Sequence, residues 1–245
     1  MLTRLGKAGV TLKAAKCHFF QEEVEYLGHD IRPGRVHILE KNLRALRGLR
    51  YPETQTQIMS FLGMCGGHRR FVADLAKIAK PVTVLKRIKL PKRLPSPMEK
   101  ESKAFEERMG RLFAAPILAL PRRDGRYIVD VDASYEQLGC CLQQQQPDGE
   151  YHSIGYYSCA LLPAEQNYFA TEIEALDVVL AVTFLRSYLD GAEFLVRCDH
   201  RALLSVLTNM SPKARIIRWR VALFKVGDQI EKGPEIVFEQ FHNHG

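Results

Sequence analysis

No two of the six cysteines, Cys17, Cys65, Cys140, Cys141, Cys159 and Cys198, sit in a C-x-x-C arrangement. That absence argues against a zinc knuckle or ribbon, which gathers its thiolates from such pairs. Adjacent Cys140 and Cys141 would face opposite sides of a strand, and all six read as reduced core residues of an intracellular protein. No apolar run approaches the ~18 residues of a membrane span. The N-terminal MLTRLGKAGV also lacks the apolar core of a signal peptide. The expectation is a protein with no membrane partner that is not secreted and works in the cytoplasm or nucleus. What the chain does have is a globular composition: 245 residues, 46% hydrophobic and 26% charged. That is enough for one large domain or two modest ones. Lys and Arg outnumber Asp and Glu 35 to 28, a net charge of +7. The balance suits a polyanionic partner such as nucleic acid without requiring one.

The basic stretch KRIKLPKR, Lys86 to Arg93, is followed by Pro95 and Pro97. It reads as an exposed linker that divides the chain in two. Before it, a helical pattern covers Leu2 to Ala8, and VEYLGHDIRPGRVHI reads as a hairpin turning at Pro33-Gly34. KNLRALRGL is helical up to Pro52, and further helical patterns cover Gln55 to Gly63 and Arg69 to Leu85. Beyond the linker, Phe105, Met109 and Phe113 recur every four residues in an amphipathic helix from Lys100 to Phe113. Strands are expected at Arg126–Asp132, Leu138–Gln143 and Tyr151–Tyr157. A long helix follows from about Ala164 to Leu189, stopped by Asp190-Gly191. A fourth strand, Phe194–Asp199, leads into helices at Arg201–Leu207 and Ala214–Val226 and a last strand at Ile236–Phe241. The order β-β-β-α-β-α-(α)-β predicts an α/β fold: a helical α+β region, then a mixed sheet with helices packed on it.

Within YIVDVDASYEQLGCCL, Asp130 and Asp132 lie two apart and so share a strand face. Neighbouring carboxylates repel and need a cation, a basic partner or open water. Three acids stand out by location. Asp132 ends the first strand of this half, Glu174 lies among apolar residues of the long helix, and Asp199 ends the fourth strand. They are 42 and 25 residues apart, too far for a local motif, and converge only if the first and fourth strands are neighbours and the helix packs across them. Converging oxygen ligands suit Mg²⁺, and two such ions can activate water and stabilise the leaving oxygen of a phosphodiester. Read alone, each acid is equally a turn residue or a solvated helix position.

VDASYEQLGCCLQQ, AEQNYFATEIEALDVV, YLDGAEFLVRCDHRALLSVL and RIIRWRVALF resemble, in order and spacing, the ribonuclease H domain of gypsy-type LTR-retrotransposon Pol polyproteins. AGVTLKAAKCHFFQEEVEYLGHDI resembles the end of that family's reverse-transcriptase palm, and TQIMSFLGMCGGHRRFVADLAKIAKPVTVL its thumb. The resemblance implies four regions. Residues 1–50 would be the palm end with a primer-positioning hairpin, 51–90 a thumb-like helical region, 91–124 a linker and connecting helix, and 125–245 a ribonuclease H-like domain. It implies that Asp132, Glu174 and Asp199 hold two Mg²⁺ ions, with Mn²⁺ as a substitute, and that the chain cuts the RNA strand of an RNA–DNA hybrid. Asp130 is expected as a neighbour of that site, solvated or supporting a ligand. Nucleic-acid contacts are expected from Arg69, Arg70, His200, Arg218 and the hairpin residues Tyr26, Gly28 and His29.

The chain departs from the family in several places. It contains no Asp-Asp pair, so the Tyr/Phe-x-Asp-Asp polymerase turn is missing and no polymerisation is expected from this chain alone. The family's fourth nuclease carboxylate falls in a motif beyond FEQFHNHG, which the expectation treats as truncated. Asp177 stands where the family has a small apolar residue, so it either crowds the site or supplies a replacement carboxylate. Gly66-Gly67-His68 occupies a normally aromatic stretch of the thumb. The alternative to a nuclease is a silent retroelement remnant that only binds nucleic acid, in isolation or within a longer Pol polyprotein.

Overall fold

The computed structural model describes residues 2–47, 51–86, 106, 109–110, 116–198, 217–219 and 235–238. Three positive φ angles shape its first sheet. Leu27 (φ 47°) and Gly28 (φ 85°) turn strand β1, Val24–Tyr26, back into β2, His29–Arg32. Gly34 (φ 72°) then turns β2 into β3, Arg35–Ile38. One hairpin was expected here; the left-handed pair at Leu27-Gly28 adds a second, giving a three-strand meander. A fourth strand, β4, Leu118–Ala119, arrives from beyond the basic stretch and pairs antiparallel with β3, with Val36 opposite Leu118.

Helices α1 (Leu2–Lys7) and α2 (Glu40–Arg47) flank the meander in sequence. Helix α3, Gln55–Gly67, runs four residues past the expected Gly63. Thr54 and Gln57 cap its start reciprocally, Gln57 N–H donating to Thr54 Oγ1 at 3.2 Å and Thr54 N–H to Gln57 Oε1 at 3.1 Å. The pattern from Arg69 to Leu85 is interrupted. A 3-10 turn at Arg69–Phe71 is separated from helix α4, Leu75–Lys86, by Asp74 at φ 57°. Ile58, Phe61, Cys65 and Phe71 pack on Val36, Ile38 and Leu118 to form the first core, which also takes in Met109. Most of the expected helix Lys100–Phe113 lies outside the described residues.

Alternating apolar positions build the second sheet, of strand order β7-β6-β5-β8-β9. Its members are β5 (Tyr127–Ala133), β6 (Gln137–Gln145), β7 (Tyr151–Ala160), β8 (Phe194–Cys198) and β9 (Glu235–Phe238). β5, β6 and β7 are antiparallel neighbours, whereas β5 pairs with β8, and β8 with β9, in parallel. A parallel pair needs a crossover. The segment between β7 and β8 supplies one, and the single long helix expected there is three pieces. These are a 3-10 turn at Glu165–Asn167, helix α5 (Ala170–Phe184) and helix α6 (Arg186–Leu189), closed by Gly191 at φ 74°. Val129, Val131, Leu142 and Val196 of the sheet bury against Val178 and Val182 of α5. The α/β expectation therefore holds, with β5 and β8 adjacent and a helix packed across them. The helix expected at Arg201–Leu207 lies outside the described residues, as does most of the one at Ala214–Val226, of which Ile217–Trp219 is helical.

Candidate nuclease site

β5 carries its two aspartates on one edge of an otherwise apolar strand, and they meet different fates. Asp130 lies directly opposite Arg197 of β8. The guanidinium grips it in a fork, Nε to Oδ1 at 2.6 Å and Nη2 to Oδ2 at 2.9 Å. Such a charge-assisted pair leaves the carboxylate little reason to recruit a cation. Asp130 is thus held by a basic partner within the sheet. Asp132, two residues on, is exposed where β5 meets the turn into β6.

Helix α5 sends two acids towards that strand end. Glu174 is half-buried. Asp177, one turn later, is only 1% exposed. Burial raises the Asp177 carboxyl well above its usual range, and the charges of Glu174 and Asp132 raise it further. Backbone N–H groups of Gly139 and Asp132 pull the other way by donating to it, the Gly139 bond measuring 3.3 Å. Asp132 and Glu174 therefore both bear on one buried carboxyl, which ties the strand end to the helix. Their donor set is all oxygen, as a hard divalent cation requires. Among the described residues, no three His, Cys, Asp or Glu side chains gather closely enough to hold an ion. Asp199, the third expected ligand, lies outside the described residues, as does His200.

The expected nucleic-acid contacts fall in three places. Arg69 stacks its guanidinium over the Phe184 ring at 5.1 Å, and Phe184 in turn stacks on Tyr157. Arg70 lies over Phe71 and donates to the Ile154 carbonyl at 3.4 Å. Both arginines thus join the helical segment to the second sheet. Arg218 is exposed, beside a Trp219 that packs on the second core. In the hairpin, Tyr26 is exposed at 60%, while His29 is half-buried, stacked on Phe71 and edge-on to His68. Asn42 Nδ2 donates to the Gly28 carbonyl at 3.1 Å and fixes the turn.

Residues 122–226 match the model of the RNase H-like domain found in reverse transcriptase. The chain carries a reverse-transcriptase RNase H-like domain. Its similarity to LTR-retrotransposon proteins extends further. It is 33% identical over 96% of its length to the Retrovirus-related Pol polyprotein from transposon 297 of Drosophila melanogaster, and 31% identical over 91% to that from transposon opus. Transposon Tf2-3 polyprotein of Schizosaccharomyces pombe is 26% identical over 96% of the chain. The chain spans only 22%, 23% and 18% of these three relatives. Among solved structures, the foamy viral protease-reverse transcriptase (dRH form) in complex with double-stranded DNA superposes over 99% of this chain and 42% of its own. The TM-score is 0.75 and the identity 17%. The same viral enzyme in complex with an RNA/DNA hybrid covers 94% of this chain and 31% of its own, at TM-score 0.72 and 18% identity. These structures share the fold of both sheets and the helices between them. The motif-based resemblance to Pol polyproteins thus stands.

Sequence reasoning missed two polar residues that organise this site, Arg197 and Gln137. Arg197 had a signal, since a lone basic residue in the apolar strand FLVRC is the natural counter-charge for one of the two acids in YIVDVDA. Gln137 had none: a glutamine at a strand start reads as a solvated turn residue, yet it is 5% exposed.

Proposed function

We propose that the chain is a reverse transcriptase/ribonuclease H fragment derived from a retroelement. It hydrolyses the RNA strand of an RNA–DNA hybrid with two divalent cations, Mg²⁺ or Mn²⁺ in its place, and does not polymerise by itself. The observation that supports this reading is the packing of α5 across β5, with Asp177 of the helix accepting the N–H of Gly139, the residue opposite Asp132 in the strand register. Asp132 and Glu174 would hold the cations together with Asp199. Bound there, the cations supply an activated water and stabilise the leaving oxygen of the phosphodiester. The chain's own part is to orient oxygen ligands. Arg197 removes Asp130 from competition, and β5 and α5 hold the other two acids in place. Exposed Tyr26 and Arg218 contact the duplex, and the remainder of a Pol polyprotein is the natural covalent partner. We read residues 1–50 as palm end, 51–90 as thumb, 91–124 as connection and 125–245 as nuclease. All six cysteines are free, which supports an intracellular site of action. Among the described residues no helix is long and apolar enough to cross a membrane.

The deciding experiment is cleavage of an end-labelled RNA–DNA hybrid in Mg²⁺ or Mn²⁺, with Asp132→Asn alongside. Cleavage by the wild type and not by the variant is expected. If neither protein cuts but both retard the hybrid on a gel, the chain is a binding remnant and the nuclease reading is wrong.

A further inference from the structure

The first N–H groups of helix α4 have no carbonyl partner within the helix. The second sheet satisfies them instead. Ala76 N–H donates to Ser158 Oγ of β7 at 3.0 Å, and Lys77 N–H to Gln137 Oε1 of β6 at 2.8 Å. The other end of the same glutamine amide, Nε2, donates to Asp74 Oδ1. Lys80 and Glu136 add an exposed ion pair at 3.4 Å. Gln137 is almost fully buried, so losing either partner strands a buried polar group.

The backbone of Gln137 closes the turn between β5 and β6. Its carbonyl accepts Ser134 N–H at 2.9 Å, and its N–H donates to Ser134 Oγ at 3.1 Å. That turn begins two residues after Asp132. Two residues beyond Gln137, Gly139 lies opposite Asp132 in the strand register and donates to Asp177. A Cβ placed on Gly139 would lie 3.9 Å from Asp74 Oδ1. An unbroken run of bonded groups thus leads from the start of α4, through the Gln137 amide, to the strand end that presents Asp132.

We propose that Asp74 and Gln137 form a latch by which helix α4 holds the β5–β6 turn in place, making Gln137 a positioning residue for the Asp132 carboxylate. This assignment rests on the nuclease reading of that site. Undocking α4 would let the turn open, and the carboxylate site would lose its geometry while its ligands remained.

The test is made on the full chain with Asp74→Gly, a change on the far side of the latch from the site. Glycine suits the left-handed backbone at this position (φ 57°), so only the carboxylate is lost. Hydrogen exchange of the amides at 134–139 should accelerate about tenfold. Mn²⁺ affinity, titrated on the protein alone, should weaken about threefold, and kcat for hybrid cleavage should fall with KM unchanged. Asp74→Asn keeps an acceptor oxygen and should restore all three. Ser158→Ala, a milder change, should speed exchange at Ala76 without disturbing the fold. Unchanged exchange at 134–139 in Asp74→Gly overturns the latch. So does faster exchange there with Mn²⁺ affinity intact, since Gln137 would then be only a helix cap. A wild type that binds Mn²⁺ yet never cuts hybrid defeats the nuclease reading instead and leaves the exchange and Mn²⁺ results to judge the latch.

Discussion

Arg197 and Asp130 face each other across adjacent parallel strands, and the arginine fork closes on both carboxylate oxygens. The pair answers what a strand with two neighbouring acids does with their repulsion: it neutralises Asp130 within the sheet, while Asp132 lies exposed near the strand end. Each side chain is about one-fifth exposed or less, at 22% and 16%. Removing the arginine therefore strands a charge in a poorly solvated place. Arg197→Met should cost about 2–3 kcal/mol in urea unfolding, whereas Asp130→Asn, which keeps one acceptor, should cost about half that. Asp130→Asn should also leave the Mg²⁺ requirement of hybrid cleavage unchanged. A shift in that requirement would return Asp130 to the metal site.

Gln144 is a second buried amide, with no exposed surface. Its Oε1 accepts Arg122 N–H at 2.8 Å, and its Nε2 lies 3.0–3.3 Å from the carbonyls of Arg122, Asp124 and Gly125. One side chain thus satisfies the turn that launches β5. Gln144→Leu keeps the bulk but orphans those groups, and should lower stability by about 2–3 kcal/mol, read as a drop in the urea midpoint at constant m-value.

Strand alternation and helix periodicity were enough to read most of the second sheet, because Val129, Val131, Val178 and Val182 repeat with the periods that burial imposes. They also located the acids correctly on a strand end and a helix. What they could not supply was chain reversal without proline or a paired glycine signal. Leu27 and Asp74 take left-handed backbone conformations, at φ 47° and 57°, that nothing in their residue type demands. The first creates an extra hairpin and the second breaks a helix, and in both cases tertiary packing overrides local preference. Buried amides escaped for a similar reason. Gln137 and Gln144 are polar by type and interior by position, and only their distant partners make that tenable.

His29 and His68 supply a pH test. Burial lowers the proton affinity of both; Arg70 adds to the effect at His29, as His29 does at His68, while the Tyr26 backbone opposes it at His29. The unfolded chain then binds protons near the ordinary value of 6.5 while the folded protein resists them. Stability from this pair is present above that value and is lost as pH falls through it. The melting temperature should drop between about pH 7 and pH 5, and His68→Phe should flatten part of the drop. An identical pH profile in the variant would clear the pair of responsibility.

Asp177 departs from the family resemblance at the candidate site, and its burial decides its role. A carboxyl raised well above 3.8 by desolvation and two acidic neighbours favours its neutral form, which makes it a poor cation ligand. Its oxygen instead accepts the Gly139 N–H. Asp177→Asn keeps that acceptor and removes the ionisable group. Because the folded carboxyl holds its proton more tightly than the unfolded one, its stabilising contribution is complete below about 3.8 and disappears as pH rises through the folded value. The asparagine variant escapes that loss. It should therefore be more stable than wild type by about 1 kcal/mol near neutral pH, with the gap shrinking on acidification. Its Mn²⁺ affinity should stay within about twofold of wild type, since burial disfavours the charged form that a cation would need. A tenfold fall in affinity would instead make Asp177 a ligand, and burial would then be the feature that the bound cation compensates.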